Sequence, residues 1–218
     1  MDSLEKRVII VTEQEHYFWE DDSEYMQIIA DIKDHPFVTD LAYFKQHVHG
    51  NRLTHSYLVS YMSYKVARSL GWDYKACARA GLLHDLFYYV PGEVTFSKGS
   101  HLRNHPKIAL MNALVVTDLS SVEEDIILKH MWLATPHFPR YKESYLVTFV
   151  DKYIATEDFV KPSLANLSQR QIMKSFRNFV GKLVIPALAS TSSKDVSLEE
   201  KEELVETQEE IDQDGNYH

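Results

Sequence analysis

The sequence predicts an all-α fold in a single helical domain. Apolar residues recur at helical spacing in most segments, and glycine and proline number only seven each in 218 residues. One run alone, residues 8–11, is strand-like, and without an obvious sheet partner it is expected to form an extension or an edge contact. A composition that is 44% hydrophobic and 12% aromatic is typical of a globular protein with one main core.

Two short helices are predicted before a loop at residues 47–50. The first covers about residues 23–33, and His35-Pro36 ends this part of the chain because proline disfavours helical geometry in the preceding residue. The second runs through residues 37–44. The apolar residues of the first helix that are expected to face the core are Met26, Ile29 and Ala30.

The next two predicted helices have recognisable ends. One covers about residues 53–70, ends at Gly71 and places His55 on its apolar stripe. The other covers about residues 73–87 and has Asp73 as a favourable N-cap residue. Both helices are expected to be largely buried.

Three further helices follow a loop that contains proline and glycine. The first opens near His105, where the following proline suits a first helical turn. The second starts at a capping-box sequence, residues 121–124, and carries His130 on its apolar stripe. The third, about residues 143–158, places Asp151 on its apolar face. An acid in that position needs an explanation.

The dipeptide His84-Asp85 is the most informative feature of these helices. About one His-Asp pair is expected by chance in this composition, so its surroundings carry the argument. It lies near the C-terminal end of an apolar helix, one turn after Ala80 and Gly81, whose small side chains allow another helix to approach closely. A carboxylate buried there costs several kcal/mol unless it is paired, hydrogen-bonded or bound to a cation.

Five successive helices each bring potential metal ligands toward the core. These residues are His55, His84, Asp85, His105, His130 and Asp151. A single buried histidine is more often satisfied by a carbonyl or a hydroxyl group than by a metal, but six such residues together predict a metal site. Mixed imidazole and carboxylate ligands favour manganese or iron, with cobalt, zinc and magnesium left open. The number of divalent ions, one or two, is also left open.

The arrangement resembles the HD-domain metal-dependent phosphohydrolases, whose pattern is a histidine, then His-Asp, then a distant aspartate on a helical bundle. The resembling stretches are residues 52–56, 80–85, 104–106, 129–132 and 150–153. The resemblance implies one HD-type helical domain over residues 23–190, with its core at about residues 35–160. It implies that the core metal ligands are His55, His84, Asp85 and Asp151. By the same resemblance, His105 and His130 are the extra ligands of members that hold two ions, with Asp85 as the bridging residue.

Phosphate chemistry suggests roles for residues beside the ligands. A metal ion with open positions accepts a water and a phosphate oxygen, lowers the pKa of that water and polarises the P–O bond. The residues expected to act in catalysis are Asp85, Arg52 and Lys152, the last two as cations that meet the substrate anion. Either cation is equally well explained as a surface charge. The segment after Asp85, residues 86–91, is apolar, so no general acid or base is evident there.

Two classes of function fit these features. The first is hydrolysis of a phosphate ester or anhydride bond in a small phosphorylated metabolite, expected to be nucleotide-like, by metal-activated water. Phosphomonoesterase and phosphodiesterase activities both stay open, because the pocket rather than the fold sets specificity. The alternative is a regulatory module that binds metal and a phosphate ligand without significant turnover. The oligomeric state is not predicted.

Composition and charge predict a soluble, cytoplasmic protein that contacts neither membrane nor nucleic acid. The single cysteine, Cys77, permits no intrachain disulfide, and no stretch reaches the roughly 18 apolar residues of a membrane span. The net charge is −9, and residues 194–218 alone contain ten acids against two bases. The rest of the chain is therefore nearly neutral, which does not favour general nucleic-acid binding.

The two ends of the chain are predicted to lie outside the helical domain. Residues 1–22 are expected to form a mostly irregular N-terminal extension. A last amphipathic helix, capped at residues 168–171, is expected to complete the domain. Residues 191–218 then form an acidic tail that is either disordered or frayed, or a solvated helix.

Overall fold

The computed structural model describes residues 16–46 and 50–160, with side chains described up to residue 156. The predicted strand-like run near the N-terminus, the last predicted helix and the acidic tail all lie outside the described residues. The predicted domain limits therefore stay predictions.

Helices dominate the described residues, which confirms the predicted all-α class. They are α1 (Ser23–Ile28), α2 (Pro36–Thr39), α3 (Arg52–Leu70), α4 (Tyr74–Leu83), α5 (His101–Val116), α6 (Ser121–Lys129) and α7 (Lys142–Val160), with a 3₁₀ helix at Asp40–Tyr43. Two short antiparallel strands, β1 (Lys45–Gln46) and β2 (Gly50–Asn51), were not predicted, because two residues are too few to show alternation. Within the described residues, no helix has the length and apolar character needed to cross a membrane.

Helix α3 is central to the described fold. It packs against α4 and α7, and α4 in turn packs against α6. The side chain of Asn51 caps its first turn, and Gly71 ends it with a φ of 67°, a conformation that glycine adopts without strain. Three of the four residues predicted on its inner stripe, His55, Val59 and Met62, are buried, while the fourth, Val66, is half-buried. This packing carries a histidine into the interior of the protein.

Helices α3 and α4 approach each other closely at Gly81, as its lack of a side chain predicts. A Cβ atom built on Gly81 would lie 2.7 Å from the Cα of Ser60, which is too close for any ordinary contact. The Ser60 hydroxyl donates a hydrogen bond to the carbonyl of Ala78 and accepts one from the Tyr25 hydroxyl at 2.8 Å. These contacts fix α4 and α1 against α3.

Gly81→Ala is therefore expected to lower the free energy of unfolding by about 1–3 kcal/mol, because overpacking forces the backbone to shift. Urea denaturation followed by circular dichroism measures this change. Gly50→Ala is the matched control, since a Cβ atom at Gly50 meets nothing within 4 Å. Equal losses of stability in the two variants would contradict a requirement for glycine at the contact between α3 and α4.

The predicted extent and inner face of the first helix are wrong. Helix α1 ends at Ile28, and the chain continues in turns up to residue 34. Tyr25 takes the buried position on α1 because its hydroxyl reaches Ser60. Met26 is half-buried and Ala30 is exposed, while the following turns bury Ile29 as predicted.

Three helix ends also differ from the prediction, and each difference changes the position of a histidine relative to its helix. Helix α5 begins at His101, so His105 lies a full turn inside it and not at its opening. Helix α4 ends at Leu83 and α6 ends at Lys129. As a result, His84 and His130 are both C-cap residues.

The capping box of α6 lies one residue earlier than predicted. Ser120 accepts a hydrogen bond from the backbone N–H of Glu123, and the Glu123 carboxylate accepts one from the backbone N–H of Ser120. Glu123 also accepts a hydrogen bond from Arg79 Nε at 2.8 Å. This bond to α4 further stabilises the Glu123 side chain in the capping position.

Candidate metal centre

Six polar side chains form one buried cluster in the described part of the chain, and all six were predicted as ligands. They are His55 on α3, His84 and Asp85 at the end of α4, His105 on α5, His130 at the end of α6, and Asp151 on α7. His55 and Asp151 are 96 residues apart in sequence, yet His55 Nε2 lies 3.0 Å from Asp151 Oδ1. Packing of α3 against α7 brings the two together.

The first half of the cluster surrounds His84. His84 Nε2 lies 3.6 Å from Asp85 Oδ2 and 3.7 Å from Asp151 Oδ1. The ligand atoms of His55, His84 and Asp85 all lie within 4.8 Å of one another. Imidazole and carboxylate groups at this spacing are able to hold a single divalent ion.

The second half of the cluster surrounds the other oxygen of Asp85. His105 Nε2 and His130 Nε2 lie 3.4 and 3.5 Å from Asp85 Oδ1. The two imidazole nitrogens are themselves only 2.8 Å apart. Asp85, His105 and His130 thus form a second group of ligand atoms within 4.8 Å, and Asp85 belongs to both groups.

Backbone carbonyls orient three of the histidines. His84 Nδ1 donates a hydrogen bond to Gly81 O at 2.8 Å, and His130 Nδ1 donates to Ile127 O at 2.8 Å. His105 Nδ1 donates to the carbonyl of His101, one turn earlier, at 2.9 Å. Since a carbonyl only accepts, each Nδ1 carries the proton, and each neutral ring keeps a lone pair on Nε2. Carbonyls commonly fix metal-binding histidines in this way.

The six residues fit divalent cations. His84 Nε2 and Asp85 Oδ1 are buried and form no hydrogen bond within the described residues. With both Nδ1 atoms protonated, the facing Nε2 atoms of His105 and His130 bring two lone pairs together when both rings are neutral. Buried polar groups without partners are costly, and a cation between these atoms satisfies them all.

The two carboxylates are held in the ionised form that metal binding requires. Burial by itself would raise the pKa of Asp85, but positive charge on the neighbouring His84 outweighs it and keeps the pKa well below its usual range. Burial likewise opposes ionisation of Asp151. The charge of Lys152, and to a smaller extent a hydrogen bond with His55, outweighs burial and holds the pKa of Asp151 well below its usual range. Both acids therefore carry a negative charge at neutral pH.

The pKa values of the two C-cap histidines shift in opposite directions. Burial lowers the pKa of His130 to about 4 despite the nearby Asp85, so this imidazole is neutral at pH 7. Burial also disfavours charge on His84, but the carboxylates of Asp85 and Asp151 reverse its effect and raise the pKa overall. A metal ion and a proton therefore compete for His84.

Gln46 and Arg52 form a chain of hydrogen bonds that holds Asp85. Gln46 Nε2 donates a hydrogen bond to Asp85 Oδ2 at 3.0 Å, and Arg52 Nε donates to Gln46 Oε1 at 3.2 Å. Arg52 is fully buried, lies 3.6 Å from the centre of the Phe87 ring and donates to the carbonyls of Phe87 and Tyr89. This placement differs from the expected contact with phosphate. Arg52 is a positioning residue here, because its donors are directed at the protein.

A cavity of about 310 Å³ adjoins the cluster. Asp85, His105, His130 and Asp151 line its inner wall, and Lys152 lies beside them. Lys152 Nζ is 2.7 Å from Asp151 Oδ2, so this cation both holds a candidate ligand and faces the cavity. Its position agrees with the predicted contact to a substrate anion, a role that remains a prediction.

Two other polar residues of the cavity wall, Lys45 and Gln46, were not predicted. A third, His101, was expected in a loop, where a solvated position was favoured over a role beside the site. His101 precedes His105 by four residues, a spacing that places both on one helical face once α5 is known to begin at His101. No comparable pattern indicates Lys45 or Gln46. They belong to β1, and only the fold brings this strand beside the cluster.

A helical domain with a buried cluster of histidines and aspartates defines a class of metal-binding domains. Residues 52–155 match the family model of the HD domain. This match confirms the resemblance that the sequence predicted, and it relates residues 52–155 to the HD metal-dependent phosphohydrolase superfamily. HD domains bind divalent metal ions, and most members of the family are metal-dependent hydrolases. No curated protein and no solved structure matches the chain significantly.

Proposed function

We propose that this protein is a phosphohydrolase that cleaves a phosphate ester or anhydride bond in a small phosphorylated metabolite, with nucleotides as the first substrate class to test. The observation that carries the proposal is the sharing of Asp85 between two groups of ligand atoms on the wall of one cavity. Ions bound in such a pair of sites lower the pKa of water and polarise the phosphoryl group. We favour manganese or iron for both positions.

The protein's own side chains bind and orient the substrate in this proposal. Lys152 supplies positive charge to the phosphoryl oxygens, and Lys45, which also lines the cavity, supplies more. Gln46 and Arg52 keep Asp85 from rotating, since they hold one of its oxygens through a chain of hydrogen bonds. Phe87 and Leu102 provide an apolar wall. The cavity volume of about 310 Å³ is at the small end of the range for ligand pockets. This size favours enclosure of one phosphoryl group and a small adjoining part of the substrate.

The test is a turnover screen of the full chain with Mn, Fe, Co, Mg and Zn supplied separately. Substrates are nucleoside mono- and triphosphates, cyclic and linear dinucleotides and sugar phosphates, with products separated by chromatography so that diesters are also detected. Lys152→Met is expected to lower kcat/KM by about 10- to 100-fold on any active substrate, because hydrogen bonds to charged groups contribute about 1.5–3 kcal/mol.

The outcome separates the two functions that fit the site. Turnover that depends on added metal supports the hydrolase. A protein that binds metal and inorganic phosphate yet converts no substrate is the regulatory module, and this result would overturn the hydrolase. A cytoplasmic location and a nucleotide-like partner stay predictions beside this proposal.

A further inference from the structure

Among the described residues, His101 is the one imidazole of the cavity wall outside the six candidate ligands. Its ring stacks on the His105 ring with centroids 4.4 Å apart and planes 22° apart. Phe87 and Tyr89 contact the same ring at centroid distances of 5.4 and 5.6 Å. The aromatic contacts therefore fix the plane of His101 directly beside the candidate metal centre.

Tyr89 determines which nitrogen of His101 carries the proton. The Tyr89 hydroxyl lies 2.9 Å from His101 Nδ1. Burial raises the pKa of Tyr89 to about 12, so the group is a neutral phenol. A phenol is a stronger hydrogen-bond donor than an imidazole N–H, and an unprotonated imidazole nitrogen is the stronger acceptor. Donation from Tyr89 to Nδ1 leaves the proton of a neutral His101 on Nε2.

The loop that carries Tyr89 is itself anchored. Arg52 donates hydrogen bonds to the backbone carbonyls of Phe87 and Tyr89, and through Gln46 it also holds Asp85. One buried guanidinium thus fixes the positions of a candidate metal ligand and of the phenol that orients His101. Nε2 of His101 is left without a hydrogen bond to the described residues.

We infer that His101 contacts the substrate, donating a hydrogen bond from Nε2 to a phosphoryl oxygen in the cavity while Tyr89 holds the ring in the required tautomer. This inference rests on the proposed function, because it assigns a residue to the same site. It gives the apolar segment after Asp85 a role that the sequence did not reveal. The segment supplies no acid, but its Tyr89 positions the hydrogen-bond donor His101 of the next helix.

His101→Phe tests the donor directly, because phenylalanine keeps an aromatic ring against His105 but has no N–H group. We expect kcat/KM to fall about 100-fold, the usual scale for removing one preorganised donor, with metal content and Tm close to the wild-type values. Affinity for inorganic phosphate, measured by titration calorimetry on the metal-loaded protein, should fall as well. His101→Gln restores an N–H donor and should recover part of both losses.

Tyr89→Phe provides an independent variant that keeps the ring and removes only the hydroxyl. Long-range ¹H–¹⁵N NMR spectra of the wild-type protein should report the Nε2–H tautomer of His101, and Tyr89→Phe should shift the ring toward Nδ1–H. Activity should fall in the same direction, by less than in His101→Phe.

Three results would overturn the inference. The first is an unchanged kcat/KM in His101→Phe. The second is loss of metal from that variant, because the ring would then only support His105. The third is an Nδ1–H tautomer of His101 in the wild-type protein. Failure of the proposed function looks different, because the metal-loaded wild-type protein would then turn over no substrate, whatever the tautomer of His101.

Discussion

Asp85→Asn is expected to remove bound metal and turnover together. Asp85 is the residue common to both groups of candidate ligands, and its two oxygens face different histidines. Asparagine keeps the shape of the side chain but loses the negative charge and one acceptor oxygen. Residues that only orient a metal ligand already change affinity or activity by about 10–100-fold, so loss of the shared ligand should exceed about 100-fold in both.

Elemental analysis of the purified protein, together with the turnover assay, measures this effect. We expect about two ions per wild-type chain after metal supplementation, and His130→Asn should reduce that number to about one. Asp118→Asn is the matched control, because Asp118 is exposed and distant in sequence from every candidate ligand. Wild-type metal content in Asp85→Asn would contradict the site, and a wild-type stoichiometry of one would leave only a mononuclear centre.

Removal of metal from the wild-type protein is expected to lower its Tm by about 5–10 °C. A ligand present at 100 times its Kd stabilises the folded state by about 2.7 kcal/mol, and each kcal/mol changes the Tm of a domain of this size by about 2–4 °C. The physical cause is local, since without an ion the Nε2 atom of His84 and Oδ1 of Asp85 stay buried without hydrogen bonds.

Differential scanning calorimetry before and after chelation measures this shift, and re-addition of manganese or iron should reverse it. Asp85→Asn serves as the comparison, because a variant that binds no metal should show nearly the same Tm with and without chelator. A wild-type Tm that is unchanged after complete removal of metal, verified by elemental analysis, would contradict a stabilising ion at this cluster.

Local sequence rules predicted those parts of the fold that depend on neighbours along one helix. Asp73 caps α4 and Gly71 ends α3, as their residue types indicate. The apolar stripe of α3 buries His55, and the apolar face of α7 buries Asp151. Each of these predictions needs only a helical period and a cap, so no knowledge of other elements is required.

A helix start could not be predicted in this way where two neighbouring residues fit the same capping pattern. Ser120 with Glu123 and Ser121 with Glu124 are both capping-box pairs, and the sequence alone gives no preference between them. The structure uses the earlier pair, in which Glu123 also bonds to Arg79 of α4. A contact between helices therefore decides a boundary that local rules leave open.

The sequence by itself determined that the chain contains an HD-type helical region and which six polar side chains are buried in it. Only the tertiary structure decided what surrounds them. Arg52 is close to His55 in sequence, yet its guanidinium is directed at the backbone of Phe87 and Tyr89. Gln46 enters the cavity wall from a short strand that no sequence pattern marks, and His101 enters it because α5 begins earlier than predicted. Helical periodicity fixes the face on which a residue lies, whereas the partner of a long polar side chain depends on which elements pack beside it.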